Sequence, residues 1–106
     1  MTLINLTPHP VTIGGNQTIP PSGVTLRLEE RVEQVGSLDG IPTYQVVRSA
    51  PQGALEALPG WNEGAIYIVP SMVAEALRHP RFFFPYPLVR DEQGRVVGAE
   101  GLGQPG

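Results

Sequence analysis

Short runs of alternating apolar and polar residues, each ended by Gly or Pro, fill the N-terminal part of the chain. Leu3–Leu6 and Val11–Ile13 are two such runs on either side of a proline corner, Thr7–Pro10. Gly14–Asn16 ends the second run, and Ile19–Gly23 contains two prolines, which fix φ and lack a backbone donor. The pattern predicts two short strands that meet at a rigid corner, with turns after each.

A longer alternation begins at Val24 and predicts a β-hairpin. Asp39-Gly40 is a dipeptide typical of tight hairpin turns, and Ile41–Arg48 supplies a return strand. Apolar residues within 27–35 also fall at helical spacing, so a helix there remains an alternative. The strand is favoured because the alternation starts before this segment and the turn dipeptide follows it.

The second half of the chain predicts one central strand and one helix. Residues 49–64 are rich in Gly and Pro and fit an ordered loop anchored by Trp61. Ala65–Val69 is apolar at every position, as expected of a strand covered on both faces. Pro70 and Ser71 open a helix over about 71–79, in which Ser71 is expected to cap the first turn.

The C-terminal quarter predicts an extended aromatic run and a last hairpin. Phe82–Pro87 is expected to be extended and exposed, and Leu88–Arg90 pairs with Arg95–Ala99 across a turn. The expected fold is α+β: a small, mainly antiparallel sheet, or a partly open barrel, with one short helix. Residues 1–100 form the single predicted domain, and 101–106 a flexible tail.

Composition narrows the classes of function. The 106 residues include no Cys, so disulfides, thiolate nucleophiles and cysteine–zinc sites are excluded. The net charge is −3, which disfavours duplex nucleic acid as a partner. No apolar stretch is long enough for a membrane span and the N-terminus lacks a basic leader, so the expected location is the cytoplasm.

Neither metal binding nor catalysis is predicted. His9 and His79 lie 70 positions apart, and no further ligands stand at zinc-site spacing beside them. The chain contains no nucleophile elbow, P-loop or dinucleotide fingerprint. Spacing alone leaves a Ser–His pair open, but nothing marks one, so we expect a protein that is not an enzyme and has no cofactor.

Arginine is concentrated near the C-terminus. All seven basic residues are Arg, and four of them, Arg78, Arg81, Arg90 and Arg95, stand within 18 residues with aromatic residues among them. Guanidinium groups bind phosphate in a planar, bidentate manner, and aromatic rings stack on bases. The alternative is purely structural, with Arg78 complementing the helix end and the phenylalanines in the core.

The corner around His9 is the other candidate for chemistry. Pro8 and Pro10 hold His9 in an extended backbone, and Asn5 and Thr7 alternate with it on one face. This arrangement predicts a set of polar groups prepared for a ligand. The alternative is a loop histidine that bonds only to backbone.

The opening Asn5-Leu6-Thr7-Pro8-His9 resembles a family of small proteins from phages, prophages and bacterial genomes. The resemblance continues through Ile19–Gly23, Gly40–Pro42, Gly64–Val69 and Val89–Gly98 and so spans nearly the whole chain. Pro70-Ser71 and Phe82–Pro87 depart from the family pattern, which puts contacts from 82–87 in doubt.

The resemblance implies a viral sponge protein that sequesters a cyclic nucleotide signal of bacterial defence, such as CBASS, without cleaving it. Such proteins tend to be homo-oligomers with ligands at subunit junctions. The expected partner is thus a cyclic nucleotide or similar anionic small molecule, with no membrane or duplex nucleic acid involved. The candidate ligand-binding residues are Asn5, Thr7, His9, Tyr67, Ser71, Arg78, Arg81, Tyr86 and Arg90.

The alternative function is an interaction module. A virion accessory protein or an inhibitor of a host protein would use the aromatic run Phe82–Pro87 as its contact patch.

Overall fold

The strands form two small sheets and a separate hairpin, in an α+β fold with one short helix. The computed structural model describes residues 2–106. The strands are β1 (Leu3–Asn5), β2 (Val11–Ile13), β3 (Gln17–Ile19), β4 (Glu29–Leu38), β5 (Ile41–Ser49), β6 (Ile66–Ile68), β7 (Phe82–Pro85), β8 (Leu88–Arg90), β9 (Val96–Ala99) and β10 (Leu102–Gly103), and the helix is α1 (Ser71–Leu77).

The first sheet has the order β1-β6-β7-β10 and is built around β6. This strand runs parallel to both of its neighbours, and α1 provides the crossover that leads from β6 to β7. Tyr67, Ile68 and Val69 have no solvent-exposed surface, because neighbouring elements cover both faces of the strand. The predicted central strand is confirmed.

The second sheet has the order β3-β2-β9-β8, and along the chain its strands alternate with those of the first sheet. Antiparallel pairs are in the majority, as expected, but β1–β6, β6–β7 and β2–β9 are parallel. A strand–helix–strand succession produces parallel neighbours, because the helix returns the chain to the end where it started. The sheets do not close into a barrel, so that alternative does not form.

The core lies between the first sheet, α1 and the loop that precedes β6. Its buried side chains are Leu6, Leu58, Ala65, Tyr67, Val69, Val73, Ala74 and Phe82. The ring of Tyr67 meets Phe82 edge-on at 5.6 Å and stacks on Trp61 at 6.2 Å. Trp61 therefore anchors the 49–64 loop to the core, as predicted.

The aromatic run differs from its prediction. Phe82 is 1% exposed and belongs to the core, and Phe83, Phe84 and Pro85 are half-buried in β7. Only Tyr86 and Pro87 are exposed. The prediction of an exposed patch over Phe82–Pro87 is wrong, because this segment is a sheet strand that pairs with β6 and β10.

Element ends also differ from the sequence-based expectations. The helix starts at Ser71 but its N-cap is Pro70, with no side-chain capping bond, so Ser71 is not the cap. It ends at Leu77 because Arg78 adopts a left-handed conformation with φ 47°. Leu102–Gly103 pairs with β7 as β10, within the segment expected to be a flexible tail.

The predicted hairpin is confirmed, but its first strand starts later. The strand β4 begins at Glu29, and residues 24–28 precede it without regular pairing. Asp39 and Gly40 both take positive φ at the turn, as a tight hairpin loop requires.

Asn5, the one buried polar residue of the described chain, joins several segments. Its Nδ2 donates to the carbonyls of His9 and Ile19 at 2.8 and 3.1 Å, and its Oδ1 accepts from the Thr7 backbone N–H at 2.9 Å. Its own carbonyl accepts from the Ser22 N–H at 3.0 Å. One carboxamide thereby holds β1, the proline corner and the end of β3 together.

We expect Asn5→Ala to lower the free energy of unfolding by about 2–3 kcal/mol, because it leaves buried backbone groups without partners. Urea denaturation of the variant measures this loss. Asn62→Ala, which changes an exposed asparagine in the loop before β6, is the matched control and should stay within about 0.5 kcal/mol of wild type. Equal stability of the two variants would contradict the role assigned to Asn5.

Candidate ligand-binding groove

An open groove of about 360 Å³ lies between the proline corner and the edge of the second sheet. Its lining residues come from the corner, β2, β7, β8 and β9: His9, Pro10, Val11, Thr12, Pro85, Leu88, Val96, Val97 and Gly98. This volume is within the range of small-molecule sites, whose lower end is about 300 Å³. We call this feature the His9 groove.

Gly98 permits the close contact between β2 and β9 that forms the floor of the His9 groove. A Cβ at this position would lie 2.8 Å from the Thr12 carbonyl oxygen, closer than side-chain carbons approach oxygen. Ile13 and Ala99 pair beside it, and the Gly14 N–H donates to the Ala99 carbonyl at 2.9 Å. A glycine here is therefore a packing requirement.

The wall that carries His9 is held rigidly. Asn5 Nδ2 bonds to the His9 carbonyl, and the Thr7 hydroxyl lies 2.6 Å from Asn5 Oδ1 and 3.0 Å from that same carbonyl. Pro8 and Pro10 restrict φ on either side. The backbone of His9 is thus fixed while its side chain remains exposed. Asn5 and Thr7 support the groove from behind rather than lining it.

The chemistry of the His9 groove is mainly apolar, with a few polar groups. Val96 and Val97 are half exposed, so they present apolar surface to whatever enters. The imidazole of His9 and the hydroxyl of Thr12 are the polar side chains among the lining residues. Arg90 is the strand partner of Val96, which places one guanidinium-bearing residue beside the groove. Such a surface suits a flat ring with polar edges.

The arginines predicted to act together are used in different places. Arg90 is exposed and donates to the Gly94 carbonyl at 2.8 Å in the β8–β9 turn. Arg78 donates to the Gly106 carbonyl at 2.7 Å and pairs with Glu75 at 3.3 Å. It lines a small cleft of about 150 Å³ with His79 and the chain end, away from the His9 groove.

Arg81 is built into the structural framework. Its Nε donates to the Ala65 carbonyl at 2.9 Å and its Nη2 to the Trp61 carbonyl at 2.7 Å. The guanidinium lies 4.0 Å from the centre of the Trp61 ring, a cation–π contact. Arg81 therefore fastens the loop before β6 to the start of β7.

The remaining candidates are dispersed as well. Tyr67 is buried, its hydroxyl donates to the Pro59 carbonyl at 2.7 Å, and burial raises its pKa. Ser71 is exposed at the start of α1. Tyr86 is exposed, packs edge-on against Phe84 at 6.1 Å, and follows Pro85 of the His9 groove. Of the nine candidates, His9 lines the groove and Tyr86 and Arg90 flank it.

Sequence reasoning missed the apolar lining of the groove. Val96 and Val97 are adjacent in a short hairpin, where alternation alone would leave one of them on a solvent face. The pair Val96-Val97 could therefore have indicated an apolar contact surface in this hairpin. Gly98 carried no such indication, because its role depends on the approach of β2.

Within residues 2–106, no group of three or more His, Asp or Glu side chains could hold a metal ion. The described chain also has no helix of the length and apolarity that membrane crossing requires. Comparison with protein-family models, characterised proteins and solved structures found no match to this chain.

The fold also shifts the pKa of His79. Its ring lies 5.4 Å from that of Trp61 and 5.2 Å from that of Phe82, and its Nδ1 accepts the Arg81 backbone N–H at 3.2 Å. Burial, and secondly the nearby positive charge of Arg81, hold the pKa of His79 below its usual 6.5. The folded state therefore favours the neutral imidazole.

We expect this lowered pKa to make stability depend on pH. The stabilisation is present above pH 6.5 and is lost as pH falls from there through the folded-state pKa, because the unfolded chain takes up the proton more readily. Urea denaturation between pH 7.5 and 5, in about half-unit steps, measures the slope. His79→Gln should remove that slope and the control His9→Gln should keep it; equal slopes in both variants would contradict the assignment.

Proposed function

We propose that this protein is a non-enzymatic binding protein that sequesters a cyclic nucleotide or a similar anionic, base-containing molecule in the His9 groove. The observation that carries the proposal is the groove itself, with the fixed backbone of His9 in one wall, apolar sides and an adjacent arginine. The resemblance of the Asn5–His9 motif to viral sponge proteins agrees with this function. In that role, a phage-encoded protein would lower a defence signal in the host cytoplasm.

The surfaces of the His9 groove match the parts of a nucleotide. Val96 and Val97 offer apolar contact to the face of a base, and His9 and Thr12 offer hydrogen bonds to its edge or to the sugar. Because Arg78 and Arg81 are engaged elsewhere, phosphate falls to Arg90. Its bond to the Gly94 carbonyl is exposed, so exchanging it for a phosphate costs little.

The lining favours holding a ligand over cleaving it. Its polar side chains are one imidazole and one hydroxyl, and the others are apolar residues, proline or glycine. Phosphodiester cleavage needs a metal or paired acid and base groups around the reacting phosphorus. Tight sequestration needs only preorganised contacts, which the rigid corner provides.

We expect cyclic di- or trinucleotides to raise the melting temperature of the wild-type protein. A ligand at one hundred times its Kd adds about 2.7 kcal/mol of stability, which raises the melting temperature by roughly 10–20 °C for a domain of this size. A thermal-shift screen with cyclic nucleotides, and with linear mononucleotides for comparison, measures the effect. Mass spectrometry after incubation should recover the ligand intact.

Val97→Trp, which fills the His9 groove, should abolish the shift, and Val89→Trp should retain it. Val89 is a matched control because it is similarly exposed and lies in the same β8–β9 hairpin but does not line the groove. Arg90→Ala should weaken binding without changing the melting temperature of the free protein. The absence of any shift at millimolar nucleotide, or an unaltered shift in Val97→Trp, would contradict the proposal.

An interaction module is the second candidate, favoured by apolar side chains at the tip of the β4–β5 hairpin. Leu38 and Ile41 flank the turn and are 69% and 66% exposed. They pair with each other across the hairpin, so they form one apolar knob at its end. This knob takes the place of the aromatic run as the candidate contact patch for a host or virion protein.

For this second function, we expect the wild-type protein to retain a discrete partner from bacterial lysate and the double variant Leu38→Ser, Ile41→Ser to lose it. The reason is that the knob is the exposed apolar contact being removed. Affinity capture followed by mass spectrometry is the measurement, with Val24→Ser as a control at an exposed valine outside the hairpin. Identical capture by all three proteins would contradict it.

A further inference from the structure

The β4–β5 hairpin projects from the rest of the molecule as a two-stranded arm whose base contacts α1. Among residues 2–106, these two strands hydrogen-bond only to each other, and nearly every residue in them is exposed. The radius of gyration is 16.6 Å, whereas a compact domain of this length has about 13 Å. An isolated two-stranded hairpin is only marginally stable in water, and three or more strands are normally needed.

The outer edge of β4 is the open side of this arm. The edge of β5 carries Pro42, which lacks a backbone donor, and the base of β5 lies against α1, where Val46 and Val47 line a cleft with Met72. β4 has no proline over Glu29–Gln34, and at its base Glu30 lines a cleft with Met72 and Val73 of α1. Beyond that base, Arg31–Gln34 pair with β5 alone, up to the irregularity between Gln34 and Gly36. A row of free N–H and C=O groups on such an edge is a template for another strand.

We infer that two copies of this chain pair antiparallel along β4, with Val32 of each copy on the two-fold axis. The arms then form one continuous four-stranded sheet. This inference goes beyond the ligand proposal and stands independently of it, because the His9 groove shares no residue with the hairpin.

Charge complementarity selects this register. With Val32 opposite its own counterpart, Arg31 of each copy lies opposite Glu33 of the other, so two ion pairs form across the axis. Neither Arg31 nor Glu33 has an ion-pair partner within residues 2–106, whereas Glu30 pairs with Arg48 at 3.2 Å. Arg31 and Glu33 are among several charged residues without an ion-pair partner in the described part of the single chain, and this register lets them pair with each other across the axis.

Neighbouring symmetric registers are unfavourable. A two-fold axis at Glu30, Arg31 or Glu33 places that residue opposite its own charge, which destabilises the pair. An axis at Gln34 runs the pairing through the bulge before Gly36. Within Glu29–Gln34, an axis at Val32 opposes unlike charges and keeps them in the regular part of the strand.

The same register also extends an apolar row across the sheet. Val32 pairs with Val46 within the hairpin, so their side chains share one face. Placing two Val32 residues opposite each other aligns four valines, two from each copy, in one continuous row. These side chains are 53% and 45% exposed in the single chain, and the contact would cover part of that surface.

The competing explanation is that the charges of β4 guard its edge against pairing, as charges on edge strands often do. Sedimentation velocity over a concentration series distinguishes the two explanations, because the proposed pairing gives a dimer and edge protection gives a monomer at every concentration.

Arg31→Glu should weaken the dimer at least about tenfold, since it converts two attractive contacts into repulsive ones. Combining it with Glu33→Arg should restore the wild-type dimer. Arg95→Glu, an equal charge change outside the arm, should leave association unchanged.

Cysteine trapping tests the register directly, because the chain contains no cysteine of its own. Val32→Cys should give a covalent dimer on mild oxidation, since opposed residues in a strand pair lie within disulfide reach. Val35→Cys, equally exposed, should not, because the two copies of this position lie six residues apart, about 20 Å along the strands. A monomer at all concentrations, an Arg31→Glu dimer as tight as wild type, or equal trapping at both positions would each overturn the inference.

Discussion

The carboxamide of Asn5 is the interaction on which the arrangement of this molecule most depends. It is 1% exposed, and it satisfies carbonyls from the proline corner and from β3 while its own backbone is paired with the central sheet. An apolar residue at this position would leave the buried Ile19 carbonyl and the Thr7 N–H without their side-chain partner, whereas the His9 carbonyl would keep the Thr7 hydroxyl. The two sheets meet at this residue, since β1 belongs to one and β3 to the other.

The His9 groove is a consequence of that junction. Pro8 and Pro10 restrict the backbone of the corner between β1 and β2, and Asn5 bonds to its His9 carbonyl. The outer side of this corner therefore stays apart from β8 and β9, and the groove lies between them. Gly98 lets β2 pack against β9, and Val96 and Val97 beside it stay about half exposed. The concavity thus arises from packing requirements alone, and His9 lies exposed in its lining.

Local patterns in the sequence predicted most strands and the helix, but they did not predict which of the candidate side chains lie close together. Alternation and the Asp39-Gly40 turn predicted the long hairpin, and unbroken apolarity predicted the central strand. The arginines lie apart because they donate to backbone carbonyls in different places: Arg81 to those of Trp61 and Ala65, and Arg78 to that of Gly106. These carbonyls come within reach only when distant loops meet, so the closeness of the arginines along the chain did not predict a shared pocket. The succession of strand, helix and strand did contain the parallel crossover, which a stricter use of the pattern would have found.

The arm poses a different physical problem from the body of the molecule. Its strands are hydrogen-bonded on one side only, and most of their apolar side chains are exposed, although Val46 and Val47 line a cleft with Met72 at its base. Charged residues on an open strand edge normally oppose pairing with another strand. In β4 the charges are complementary in the proposed two-fold register and repulsive in neighbouring symmetric registers. The same residues can therefore prevent other pairings and favour this one. Because the arm and the His9 groove share no residue, association through β4 would use none of the side chains that line the groove. The two associations proposed for this chain, with a ligand and with a second copy, are therefore compatible.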